Sequence, residues 1–119
     1  MEKRIVIGGC RNYNDYTLFS EYVKSCLSEF ISDNVTIISG HCSGVDCMAE
    51  RYAKENGLKC LVYPADWGKY GRAAGPIRNK AMVENSDAII AFWDGKSKGT
   101  KNLIDIAARQ SKRIWVCHI

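Results

Sequence analysis

Arg4-Ile5-Val6-Ile7-Gly8-Gly9-Cys10-Arg11 is a short apolar run that breaks into a glycine pair and a cation. The pattern returns at Val35-Thr36-Ile37-Ile38-Ser39-Gly40-His41-Cys42-Ser43-Gly44. It returns again at Ala88-Ile89-Ile90-Ala91-Phe92-Trp93-Asp94-Gly95-Lys96-Ser97-Lys98-Gly99-Thr100. A helical pattern follows each turn. The apolar runs are nearly continuous rather than alternating, as in parallel strands covered on both faces. A strand, a glycine turn and a helix start together present free backbone N–H groups, and the helix N-terminus adds partial positive charge. Three such turns in 119 residues point to a nucleotide-like ligand.

Working outward, strands are expected at about residues 4–8, 35–39, 59–63, 88–93 and 113–119. The first helix is expected over about 15–31, with Leu18, Phe19, Tyr22, Val23, Cys26, Leu27 and Phe30 on one stripe. Asp15 or Thr17 is its expected cap. A second helix runs over about 45–56 and stops at Gly57. A third starts near Pro76 and ends near Asn85, and a fourth follows Thr100. Right-handed crossovers then give a Rossmann-like, three-layer αβα sandwich of the α/β class. Its five parallel strands have the expected order 3-2-1-4-5. The order reverses between strands one and four, which places a ligand crevice outside their carboxyl ends. No repeat or linker divides residues 1–119, so a single domain is expected.

The hydrophobic fraction is 46% and the charged fraction 25%, as in an ordinary globular domain. No apolar run has the length of a membrane span, and residues 1–5 pass directly into a strand without a signal-peptide core. A cytoplasmic location with no membrane partner is expected. The net charge of +4 is mild, but Lys69, Arg72, Arg78 and Lys80 cluster between Asp66 and Lys80, and Lys96, Lys98 and Lys101 follow Asp94. This suits a small anion at the strand ends, so nucleic acid is not the expected partner.

The candidate ligand-binding residues follow from these turns. In the first, Gly8, Gly9 and Cys10 let backbone approach a ligand, with Arg11 beside them. The second supplies Gly40, Ser43 and Gly44, with Asp46 in the first helical turn. The third supplies Asp94, Gly95, Lys98, Gly99 and Thr100. The stretch 66–75 is too long for a minimal connection and reads as a binding loop or lid. Trp67 and Tyr70 there either stack on a base or pack the loop to the body of the domain, and Arg72 and Arg78 are placed to bind phosphate. Arg78, in the first turn of the third helix with Asn79 beside it, is the strongest single anion candidate. Neither the G-x-G-x-x-G nor the G-x-x-x-x-G-K-[ST] pattern occurs, so no resident cofactor is expected.

Six cysteines in a chain without a signal peptide read as reduced thiols. Cys26, Cys60 and Cys117 fall on core positions. Cys10, Cys42, Cys47 and His41 converge only if strands one and two are neighbours. No C-x-x-C pair exists, so no metal site is expected. Cys10 and Cys42 lie near helix starts, where thiol pKa values fall, leaving a redox role open for Cys10, Cys42 and Cys47.

The set Gly8-Gly9-Cys10-Arg11 with Asp15, Ser39-Gly40-x3-Gly44-Val45-Asp46, Gly75-Pro76-Ile77-Arg78-Asn79 and Asp94-Gly95-x3-Gly99-Thr100 resembles the SLOG superfamily. The likeness is to its YspA-like, YpsA-related branch from bacteria and phages, and it covers nearly the whole chain. The resemblance implies a Rossmann-like fold that binds nucleotides or their derivatives. It also implies kinship with DprA, which binds single-stranded DNA, and with LOG enzymes, which cleave the N-glycosidic bond of nucleoside monophosphates. Dimers are common in the superfamily, which leaves a homo-oligomer open. The LOG motif P-G-G-x-G-T-x-x-E ends in a catalytic glutamate, and Leu103 stands at that position here. His41-Cys42-Ser43 also departs from the small residues and basic residue frequent in relatives. Ligand binding, as a sensor or binding module, is therefore the leading expectation. An N-glycosidase using Asp46 or Asp94 as the replacement catalytic acid is the first alternative, and single-stranded nucleic acid binding the second.

Overall fold

The computed structural model describes residues 1–119. The strands are β1 (Glu2–Gly9), β2 (Asn34–Ser39), β3 (Lys59–Val62), β4 (Ala88–Trp93) and β5 (Arg113–His118). The helices are α1 (Tyr16–Leu27), α2 (Val45–Glu55), α3 (Trp67–Tyr70), α4 (Ala74–Glu84) and α5 (Lys98–Arg109). All five strands are parallel, in the order β3-β2-β1-β4-β5. This is the α/β architecture that the apolar runs and glycine turns predict.

The continuous apolar runs serve two cores at once, because successive strand residues face opposite sides of the sheet. Ile5, Ile7, Ile37, Ile90 and Phe92 pack with Phe19 and Val23 of α1 and Val45, Ala49 and Tyr52 of α2. Val6, Ile38 and Ile89 face the other way, onto Met82 and Val83 of α4 and Leu103, Ile106 and Ala107 of α5. Central β1 is thus covered on both faces, with Ile5, Val6 and Ile7 fully buried. Cys26 is buried, and Cys60 and Cys117 pack at the margin of the first core.

Local signals place most helix starts. Asp15 caps α1 by accepting from the Leu18 amide at 3.1 Å. Gly57, with φ +64°, follows the end of α2. Three expectations need correction. The first helix stops at Leu27 and gives way to a 3-10 turn at Ser28–Phe30, and Leu18 lies in water rather than on the buried stripe. The third helix begins two residues before Pro76. The stretch read as a binding loop holds the short helix α3 and a 3-10 turn at Gly71–Ala73. No residue of these two turns is buried, so no apolar stripe marked them.

Candidate functional site

A crevice of about 480 Å³ opens at the carboxyl ends of β1 and β4. That volume is in the usual range for a small-molecule site. The crevice lies where the strand order reverses, so the chain leaves β1 toward one face of the sheet and β4 toward the other. Its walls are Gly8, Gly9, Cys10, Arg11 and Asn12 after β1, Asp94, Lys96 and Ser97 after β4, and Gly99, Thr100 and Leu103 of α5. Cys42, Asp46, Arg78, Asn79 and Met82 complete it.

The three turns that look alike in sequence differ in what their amides do. The Cys10 amide donates to the Phe92 carbonyl at 3.1 Å, and the Val45 amide, at the start of α2, donates to the Cys10 carbonyl at 3.3 Å. The Cys42 amide donates to the Asp46 carboxylate at 3.2 Å. The chain's own acid therefore fills the cradle that the second turn was expected to offer an anion. At the third turn, Asp94 accepts from the Lys96 and Ser97 amides, both at 2.8 Å, and Ser97 Oγ accepts from the Thr100 amide at 3.4 Å. The Lys98 and Gly99 amides have no acceptor within the protein. The Asp46 and Cys47 amides at the start of α2 likewise have no protein acceptor, so both helix starts keep free donors.

Asp46 is buried on the crevice wall, and burial pushes its carboxyl up to about 6. The Cys42 amide and the Arg78 guanidinium oppose that shift, and Glu50 adds to it. Arg78 and Asp46 flank Gly40. A Cβ there would lie 2.6 Å from Arg78 Nη1 and 2.9 Å from Asp46 Oδ2. Arg78 Nη1 donates to the Gly40 carbonyl, and its Nε donates to Asn79 Oδ1 at 3.0 Å, leaving Nη2 without a protein acceptor. Buried Asn79 in turn donates to Asn102 Oδ1 at 3.0 Å and to the Gly99 carbonyl at 3.3 Å, locking α4 to α5. Asp94, fixed by the Ser97 and Lys96 amides, is held below the usual carboxylate range.

Of the residues expected from the sequence, Gly8, Gly9, Cys10, Arg11, Asp46, Arg78, Asn79, Asp94, Gly99 and Thr100 line the crevice together. Trp67, Arg72 and Lys98 line an adjoining cavity instead. Gly40, Ser43, Gly44 and Gly95 line neither. Gly44 has φ +71° and packs its Cα against the Arg11 carbonyl, so its role is to fit the turns together. Asn12 and Met82 went unnoticed. Asn12 follows the first turn directly, and Met82 lies one helical turn beyond Arg78, a spacing that could have revealed it.

The thiol expectation is corrected for Cys10. It is buried, and burial raises its pKa, so it stays protonated. Cys42 lies 3.7 Å from Arg78 Nη1. Cys47 points its sulfur at the Cys42 carbonyl, 3.1 Å away. His41 turns to Glu50, with Nδ1 3.1 Å from the carboxylate. No three His, Cys, Asp or Glu side chains are grouped so as to hold a metal ion. No helix is long and apolar enough to cross a membrane.

A parallel sheet with a polar, cation-bearing crevice at its switch point defines a Rossmann-like α/β protein. The model of the YspA, cpYpsA-related SLOG family matches residues 3–70, and the chain belongs to that family. It is 29% identical over 106 residues to the gene 61 protein of Mycobacterium phage D29, covering 84% of each chain. DprA from Streptococcus pneumoniae superposes with a TM-score of 0.74 at 15% identity, over 96% of this chain. DprA from Helicobacter pylori, whose structure describes a single-stranded DNA binding mode, superposes with a TM-score of 0.68 at 20% identity, also over 96% of this chain. The chain spans 50% of the first DprA and 64% of the second, and these likenesses bear on the fold alone.

Proposed function

We propose that the chain binds a nucleotide or nucleotide derivative in the crevice between β1 and β4, as a sensor or binding module. The observation that carries this reading is the grouping of Arg11, the open Nη2 of Arg78 and the free amides of α5 around one polar cavity. Guanidinium groups and a helix start suit phosphate. Asp46 and Asp94 supply acceptors for sugar hydroxyls or base N–H groups. Membership of a SLOG family supports the same reading.

Arg11 gives the cleanest test, because it forms no ion pair or side-chain hydrogen bond in the fold. Isothermal titration against a panel of nucleoside mono- and diphosphates should find a binder. Arg11→Ala should weaken that binder about ten- to a hundredfold, the worth of a charge-assisted contact of about 1.5–3 kcal/mol, at unchanged Tm. Arg78→Ala should lower affinity and Tm together, since it also releases the Gly40 carbonyl. A panel with no binder removes the reading.

One observation favours a second reading. A buried carboxyl that titrates near 6 on the crevice wall suits a general acid, which an N-glycosidase needs to protonate the departing base. Base release from nucleoside monophosphates, followed by chromatography and lost in Asp46→Asn, would support it. Release that survives in Asp46→Asn would reject this assignment.

A further inference from the structure

Beside the crevice lies a second cavity of about 320 Å³, and the two share Arg11, Arg78, Asn79 and Gly99 as a common wall. Their electrostatics differ. The crevice carries Asp46 and Asp94 as well as cations. The second cavity is lined by Arg11, Arg72, Arg78 and Lys98 with no carboxylate at all. Arg11, Arg72 and Lys98 take part in none of the ion pairs of the fold. Four cations around one small cavity repel one another, and an anion with more than one charge relieves that repulsion.

Trp67 also lines this second cavity. The indole is 49% exposed, and its Cη2 edge crosses Gly75, where a Cβ would sit 3.4 Å away. Asp66 caps the short helix α3, of which Trp67 is the first residue, by accepting from the Lys69 amide at 3.0 Å. An exposed indole beside cations is a stacking surface for a planar ring that carries negative charge. The site therefore offers two places for a ring system, one in the crevice and one on Trp67, with a cationic seam between them. A mononucleotide has one ring system and cannot occupy both.

Building on the nucleotide reading above, we infer that the ligand is two-headed, a dinucleotide-type molecule whose halves are joined by a pyrophosphate. One nucleoside lies in the crevice near Asp46 and Asp94. The pyrophosphate lies along the seam of Arg11, Arg78 and Lys98, beside the free amides of α5. The second ring stacks on Trp67, with Arg72 beside it.

The test compares AMP, ADP and diadenosine pyrophosphate by titration calorimetry, on the whole chain and on Trp67→Ala. Diadenosine pyrophosphate should bind at least about tenfold more tightly than either mononucleotide, the gain expected from one stacked ring. In Trp67→Ala the ratio of its affinity to that of ADP should fall to about one. The ratio within one preparation is insensitive to any general loss of folded protein. Equal affinities for ADP and diadenosine pyrophosphate overturn the two-headed ligand while leaving the nucleotide reading in place, as does a ratio that survives in Trp67→Ala. A five-nucleotide single strand that binds more tightly than diadenosine pyrophosphate, and loses that gain in Trp67→Ala, overturns it in favour of nucleic acid. No binding by any of the adenine nucleotides overturns the two-headed ligand, and the nucleotide reading then stands or falls with the wider panel of nucleoside phosphates.

Discussion

Asp46 shows how one residue can answer a sequence expectation while changing its meaning. Its place in the first turn of α2 was readable, since a carboxylate there complements the helix dipole. What could not be read was that the carboxylate would fold back onto the Cys42 amide and be buried on the wall of a crevice, because that depends on two strands meeting. The folded carboxyl titrates at about 6, above its ordinary 3.8, so the folded state binds the proton more tightly than the unfolded chain does. Stability from this group is therefore greatest at low pH and falls as pH rises from about 4 to about 6, then stays level. Asp46→Asn is uncharged throughout. The difference in Tm, variant minus parent, should become more positive between pH 4 and pH 7, by the equivalent of up to about 3 kcal/mol. Thermal melts at both pH values check this, and a difference that shrinks with rising pH would contradict it.

At the scale of the element, the strand–glycine–helix signature placed all three turns correctly but could not rank them. Whether an amide is free depends on which carbonyl or carboxylate the rest of the chain brings to it. The first turn is tied to Phe92 through the Cys10 amide and the second to Asp46 through the Cys42 amide, while the third leaves the Lys98 and Gly99 amides at the start of α5 open. The long stretch after β3 was recognised as unusual from its length, yet its helix α3 was invisible because it buries nothing. Trp67 and Arg72, expected to meet the ligand of the main crevice, line the cavity beside it. The α5 start depends on Ser97, whose hydroxyl accepts from the Thr100 amide and meets the Thr100 hydroxyl at 3.2 Å. Ser97→Ala should lower stability in chemical denaturation by about 1 kcal/mol, the usual worth of an N-cap. It should also weaken ligand binding by loosening the amides at Lys98 and Gly99. Normal stability and normal affinity together would show that the cap does not organise this end of the site.

For the whole molecule, strand order and layer structure followed from local pattern, because each buried parallel strand must face two cores and each crossover has one allowed hand. Ile5, Val6 and Ile7 report this directly, one residue after another serving opposite faces. The reversal of order at β1 and β4 then dictates where a ligand can enter. Side-chain partnerships across that opening, such as Arg78 with the Gly40 carbonyl and Asn79 with Asn102, join residues far apart in the chain and leave no local mark. The central claim is that this opening is a nucleotide site. The most direct measurement is a titration of the nitrogen-15-labelled chain with ADP, followed amide by amide in NMR spectra. The account predicts saturable shifts at residues 8–12, at Arg78 and Asn79, and at Lys98 and Gly99, with the exposed ends of α1 and β3 unmoved. Saturable shifts confined to other surfaces, or none at millimolar ADP, would contradict it.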